Sequence, residues 1–273
     1  MNDSHSHFTG SIPEIYDAHL GPLLFGFSAR DLAERTKGRI PPHSRILEVA
    51  CGTGIATEHL RNALPGTVEI LATDLNEAML EVARKKHSGR AGVSFEVANA
   101  LSLPYQAQSF DAVLCQFGIM FFPDKPRGLG EMVRVLKPGG VLAFNVWDSL
   151  KQNPPAVVAH ETISRFFDFD PPLFLKTPFG FHDIEHIKSL LTQAGLINIE
   201  HHVVSVVIEG LEAADVAKGF VEGNPGVIEI NERARVGAGE VTRAVAQALE
   251  DAFGPAPLKF PLQEIVFTAT RAG

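Results

Sequence analysis

The stretch from Arg45 to Thr57, RILEVACGTGIAT, constrains the fold more than any other part of the chain. Ile46, Leu47 and Val49 form a short apolar, β-prone run that reads as a buried strand. Gly52 and Gly54 follow at once, where the backbone must turn tightly and approach something closely. Helix-forming residues resume at Ile55. A strand, a Gly-x-Gly turn and a helix N-terminus together cradle a nucleotide-like ligand. The plainer reading is an ordinary strand-to-helix turn, but it does not explain Glu48, a carboxylate inside the strand just before the turn.

The same alternation continues downstream. Val68 to Thr73, Val93 to Ala98, Phe110 to Phe117 and Val141 to Trp147 read as strands, the last apolar except for Asn145. Between them, Ile55 to Leu64, the segment from a capping Asn76 to about Lys86, and Pro126 to Leu136 read as helices. Nearly continuous apolar strands alternating with helices predict an α/β fold with a parallel sheet covered on both faces. Upstream, Ile12 to Lys37 is helical in pattern, with an interruption expected at Gly21-Pro22. Downstream the pattern changes. Ser149 to Pro178 is rich in proline and phenylalanine, with a helical piece over Val157 to Phe167. Ile184 to Ala194 is a helix closed by Gly195, and Leu196 to Ile208 a strand. Glu212 to Glu222 and about Ile228 to Phe253 are helical in pattern, and Leu262 to Arg271 is a final strand.

Composition removes several function classes. The 24 Lys and Arg against 32 Asp and Glu leave a formal charge of -8, which argues against nucleic-acid partners and anionic membranes. No apolar run reaches the length of a membrane span. The first ten residues, MNDSHSHFTG, lack the order of a signal peptide, and a cytoplasmic protein is expected. Their Ser-His repeats read as a frayed tail and not a metal site, so no metal is expected. Cys51 and Cys115 are expected to stay reduced.

Three further positions fall at strand ends, where an open α/β sheet builds its ligand crevice. Asp74 closes the second strand 20 residues after Gly54, where a carboxylate accepts hydrogen bonds from ribose hydroxyls; capping the next helix is the alternative. Asn99-Ala100 follows the third strand, and an amide there can pair with an adenine edge or simply make a turn. Gln116-Phe117-Gly118 ends the fourth strand.

EVACGTG, ATDLNEAML, ANALSLPYQAQSFDAVLCQFGIMFF and RVLKPGGVLAF, in that order and spacing, resemble a class I S-adenosylmethionine-dependent methyltransferase, and within that class the ubiquinone/menaquinone biosynthesis methyltransferases. The resemblance covers Tyr16 to Trp147, about half the chain. It implies a Rossmann-like seven-stranded, mostly parallel sheet whose last strand is antiparallel. It also implies cofactor contacts. The turn from Ala50 through Gly52, Thr53 and Gly54 would pass beneath the methionine part, with Glu48 near the amino group. Asp74 would hold the ribose, Leu75 and Met79 would lie beside ribose or adenine, and Asn99 and Ala100 would bind adenine. Gln116 would line the methionine end and Tyr16 would close over it. Ala50 replaces a common glycine and Asn99 a common aspartate. Thr57 stands where a dinucleotide fingerprint has its third glycine, which weighs against a nicotinamide oxidoreductase.

The expected organisation is one methyltransferase domain over 1–273. N-terminal lid helices span 12–37, the core 43–148, 183–208 and 262–273, and substrate-lid insertions 149–182 and 209–261. Methyl transfer from a sulfonium needs alignment more than a fixed catalytic group. His160, His182 and His19 are the candidates for a base, each with a structural role as the plainer reading. His201-His202 points to opposite faces of a strand and makes no metal pair. Phe25, Phe121, Phe122, Phe167 and Phe181 are candidates for an apolar acceptor pocket, against the alternative that they pack the cap. The expected activity is methyl transfer to a small hydrophobic or aromatic molecule. A non-catalytic cofactor-binding regulator or partner subunit on the same fold is the competing reading, and a homodimer is left open.

Overall fold

The computed structural model describes residues 8–273; the Ser-His tail lies largely outside them. Arg45–Val49 forms β1, buried from its second residue onward, and Ile55–Ala63 forms α3. Glu69–Asp74 is β2, Glu77–Lys86 is α4, and Asn76 caps α4 by accepting from the Met79 amide. Val93–Val97 is β3, Phe110–Gln116 is β4, Lys125–Val135 is α5 and Leu136–Trp147 is β5. β6 runs from Leu196 to Leu211 and β7 from Leu258 to Arg271. The sheet order is β3-β2-β1-β4-β5-β7-β6, with β7 alone antiparallel to its neighbours. The apolar strands bury both faces. Leu47, Val113 and Phe144 pack on one side, and Ile46, Ala112 and Ala143 on the other.

The N-terminal helix does not break at Gly21-Pro22. α1 (Ile12–Ile15) passes into a π-helical segment, Tyr16–Phe25, and then into α2 (Gly26–Lys37). Pro22 lies inside the π segment and has no N–H for the usual ladder, and the segment closes with the Gly26 amide on Gly21 O. Gly21 is needed for contact: a Cβ there would meet Ile55 Cδ1 at 3.1 Å.

The distal part forms a helical cap. It contains α6 (Pro154–Ser164), a 3₁₀ turn at Phe174–Phe179, α7 (Ile184–Gln193), α8 (Ala213–Glu222), α9 (Gly226–Arg233) and α10 (Ala238–Phe253). The single helix expected from Ile228 is two, because Ala234 turns extended and Gly237 starts α10. Both late strands run further than their hydrophobic pattern indicates. Pairing of β7 with β5 ends at Trp147↔Glu264, so beyond that point β7 has one free edge and tolerates Pro261, while pairing with β6 continues to Leu211↔Leu258.

Candidate functional site

The carboxyl ends of β1 and β4 and the π segment enclose one cavity, about 310 Å³ including its open mouth. Tyr16, Phe25, Glu48, Ala50, Gly52, Thr53 and Gln116 line it, as the sequence predicts for a single site, together with Cys51, Ile55 and Ala56. The last three were legible only as fillers of the turn.

The turn is held in an unusual conformation. Ala50, Gly52 and Gly54 all have positive φ, at 56°, 55° and 77°. Ala50 bears the strain of a left-handed conformation with a Cβ. Gly118 makes room for that Cβ: a methyl on Gly118 would lie 2.4 Å from Ala50 Cβ. From below, His87 Nε2 meets Gly54 O at 2.9 Å. From the side, Asp74 Oδ2 accepts the Gly52 amide at 2.8 Å and Oδ1 the Asn76 amide at 2.9 Å. Burial pushes the Asp74 carboxyl above its ordinary range, against these backbone bonds.

Glu48 is 1% exposed. Thr57 Oγ1 donates to its Oε2 at 2.7 Å. Burial pushes the carboxyl up to about 8, opposed by the Thr57 bond and reinforced by the charge of Asp74. Gln116 Nε2 donates to Phe25 O at 3.1 Å, tying β4 to the N-terminal lid. The other oxygens of these two side chains, Glu48 Oε1 and Gln116 Oε1, are buried with no hydrogen-bond partner, and so is Thr53 Oγ1. Two buried acceptors facing one cavity match a ligand that carries N–H donors and positive charge, such as an amino-acid ammonium.

Gly54, Asp74, Leu75, Met79, Asn99 and Ala100 do not line this cavity. Asp74 ends β2, the neighbour of β1, and Leu75 follows it; Asn99 and Ala100 follow β3, one strand further out. Leu75 is 56% exposed, whereas Met79 is buried with its methyl against Gly52. Asn99 Oδ1 accepts the Leu101 amide at 2.9 Å. Among the aromatic candidates, Phe25 alone reaches the cavity and stacks on Tyr16 at 5.1 Å. Phe121 stacks on Phe174, Phe122 packs where Gly128 leaves room, Phe167 lies under Arg233 and Phe181 under Lys125. None of the candidate histidines lines the cavity. His19 pairs with Asp215 at 3.3 Å, His182 Nδ1 meets Phe179 O at 2.7 Å, and His160 lines a second cavity inside the cap.

A polar support behind the site escaped the sequence reading. Glu264 Oε2 accepts from Asn145 Nδ2 at 2.7 Å, and Asn145 Oδ1 accepts the Phe117 amide at 3.1 Å. Both are fully buried, and burial pushes the Glu264 carboxyl up to about 7. Part of the signal is local, since Asn145 is the lone polar residue of the apolar run Val141 to Trp147, but Glu264 follows Gln263 and only the β5–β7 register sets it on the face of Asn145.

The geometry agrees with comparisons to known proteins. A family model described as a methyltransferase domain matches residues 47–144. A demethylmenaquinone methyltransferase of Staphylococcus aureus is 33% identical over 171 residues, covering 57% of this chain and 69% of that protein. Two solved structures share the fold. Phosphoethanolamine N-methyltransferase 2 of Haemonchus contortus, in complex with S-adenosyl-L-methionine, has a TM-score of 0.64 at 15% identity, covering 100% of this chain and 61% of that one. A putative methyltransferase of Bacillus halodurans has a TM-score of 0.61 at 19% identity, covering 90% and 100%. The chain belongs to the class I S-adenosylmethionine-dependent methyltransferases. Within that family it resembles the menaquinone group, and S-adenosylmethionine is its cofactor. No helix among the described residues is long and apolar enough to cross a membrane, and no cluster of His, Cys, Asp and Glu there could hold a metal.

Proposed function

We propose that this methyltransferase acts on a small, apolar, aromatic or quinol-like acceptor, and that Glu48 and Gln116 receive the amino group of the cofactor. The carrying observation is the pair of buried, unpartnered acceptors in one cavity, Glu48 Oε1 and Gln116 Oε1. When bound, S-adenosylmethionine supplies a methyl group on a positively charged sulfur. The chain's own residues bind, orient and dry the site. Asp74 anchors the ribose hydroxyls: the backbone amides of Gly52, Leu75 and Asn76 fix its carboxylate, which keeps acceptor capacity for a further donor. Leu75, Met79, Asn99 and Ala100 continue the groove toward the adenine. Tyr16 and Phe25 cover the methionine end and exclude water from the reacting line. The dry, aligned line these residues keep would let an electron pair of the acceptor take up the methyl group, the sulfur keeping the pair of the broken carbon–sulfur bond and the acceptor losing a proton.

The acceptor class is supported by what lies next to the cavity. Tyr16 meets Phe8 at 5.7 Å, Phe8 meets Phe174 at 6.3 Å, and Phe174 stacks on Phe121 at 5.8 Å. This aromatic path leads from the cofactor cavity toward the cap, whose segments 149–182 and 212–257 we assign as the substrate lid. The relative is a demethylmenaquinone methyltransferase, and an apolar quinone-type acceptor fits such a path. The test is transfer of a radiolabelled methyl group from S-adenosylmethionine to phenols and reduced naphthoquinones, compared with primary amines of similar size. Label in the phenol and quinol arms supports the reading. Label in the amines alone overturns the acceptor class, and cofactor binding with no label in any arm overturns turnover on such molecules.

A further inference from the structure

The two edges of the sheet are unlike. β3 ends one side after five residues, and its Glu96 is engaged by Tyr105 at 3.0 Å. β6 ends the other side and is 16 residues long. Bulges interrupt its pairing with β7 between Ile197 and Glu200 and between Glu209 and Leu211. Between them lies an unbroken run, EHHVVSVVIE, with no lysine, arginine, proline or glycine. Sheet edges are ordinarily protected by short length, lysine, proline or a bulge within the edge, because free N–H and C=O groups template pairing with another strand. This run has none of these within it. Val203 and Val207 are 48% and 54% exposed.

The side-chain pattern identifies the partner. On one face of β6 stand His201, Val203, Ser205, Val207 and Glu209. Laid antiparallel on itself about Ser205, the pattern is self-complementary. Val203 faces Val207, Ser205 faces Ser205, and His201 faces Glu209, a ring nitrogen opposite a carboxylate. On the other face Val204 meets Val206. His201 is held by stacking on Phe267 at 6.1 Å. Glu209 keeps Lys259 at 3.2 Å yet is exposed enough to accept a second donor. A two-fold axis through Ser205 therefore sets apolar against apolar and a ring nitrogen against a carboxylate, the self-complementarity an isologous interface requires.

We infer that β6 is a dimer edge, pairing antiparallel with β6 of a second copy of this chain about Ser205 to join two seven-stranded sheets into one. The run is about 30 Å long at the usual rise per residue, enough for a full set of cross-strand pairs. The interface lies on the far side of β7 and β5 from the cofactor cavity and does not depend on the acceptor class.

The test is the solution mass of the full chain by light scattering, with three variants at exposed positions. Wild type is expected at twice the 29.5 kDa chain mass. Val203→Lys with Val207→Lys sets like charges opposite each other and is expected at the single-chain mass. Val203→Lys with Val207→Glu sets opposite charges across the same axis and is expected to restore the double mass. Ser205→Cys is expected to form a disulfide-linked dimer under oxidising conditions. Circular dichroism melting of each variant checks that the fold is retained. A wild type at the single-chain mass, a double-lysine variant that stays dimeric, or a Lys/Glu variant that stays monomeric overturns the proposal.

Discussion

Thr57 Oγ1 donates to Glu48 Oε2 at 2.7 Å, and the other carboxylate oxygen, Oε1, is left buried without a partner beside the cofactor cavity. Thr57 occupies the position of the third glycine in a dinucleotide fingerprint. The substitution that sets this turn apart from a dehydrogenase also orients the carboxylate inside β1. Replacing Thr57 with Val keeps the shape and removes the donor. The variant is expected to lose about 1–3 kcal/mol of stability, since a buried carboxyl oxygen loses its partner. Its affinity for S-adenosylhomocysteine should fall as well, and chemical denaturation with calorimetric titration measures both.

The elevated Glu48 and Glu264 carboxyls make a pH-dependent contribution of definite sign. Their folded pKa values, up to about 8 and about 7, lie above the ordinary 4.5 expected when unfolded. The folded chain therefore holds protons that the unfolded chain releases. Their contribution to stability is fully present below the unfolded value and is lost as pH rises through the folded ones. His59, His87 and His160, held below their ordinary value by burial, act with the opposite sign in the same range, so the reading is the difference between wild type and Glu48→Gln. Relative to that variant, wild type is expected to lose melting temperature between about pH 5 and about pH 8, and a difference that does not change with pH contradicts the assignment.

Binding should reverse the state of Glu48. An ammonium at Oε1 favours the carboxylate, so below about pH 8 binding of S-adenosylhomocysteine is expected to release a proton. Calorimetry in buffers of different ionisation enthalpy reads that release directly. Glu48→Gln should abolish the buffer dependence.

Gln116 ties the N-terminal lid to β4 through the Phe25 carbonyl. Gln116→Ala is expected to speed amide hydrogen exchange over Phe25 to Ala29 and to weaken binding of the cofactor, with little change at the centre of the sheet. Unchanged exchange there would show that packing of Phe25 on Tyr16 and Phe117 holds the lid by itself.

Gly118 is sterically fixed. A methyl there would sit 2.4 Å from Ala50 Cβ and 2.8 Å from Cys115 Sγ. Gly118→Ala is expected to cost about 1–3 kcal/mol. At about 2–4 °C per kcal/mol for a chain of this size, thermal melting resolves it. Because the clash is with the glycine turn, cofactor affinity should drop with stability.

The core of the fold was legible because its physics is local. Apolar strands, glycine turns and caps such as Asn76 each announce themselves within a few residues. The cavity residues Tyr16, Glu48, Gly52 and Gln116 were legible from their order at strand ends. What the sequence hid depends on pairs distant along the chain. Asn145 and Glu264 lie 119 residues apart and meet only through the antiparallel register of β7. The π segment was hidden for another reason: Pro22 usually ends a helix, and here π-helical hydrogen bonding, closed by the Gly26 amide on Gly21 O, carries the chain past it. The cap aromatics were undecided for a third reason, since a phenylalanine in a core and one in a pocket have the same sequence signature.

The most direct measurement compares two ligands that differ by the amino-acid group. S-adenosylhomocysteine carries it and 5′-methylthioadenosine does not. Calorimetric titration of wild type and Glu48→Gln with both isolates what Glu48 contributes. Wild type is expected to prefer S-adenosylhomocysteine strongly. Glu48→Gln should weaken that ligand roughly 10- to 100-fold, the worth of a hydrogen bond to a charged group, while binding 5′-methylthioadenosine as wild type does. Equal losses for both ligands, or no loss for either, would contradict the assignment of Glu48 as the acceptor of the cofactor's amino group.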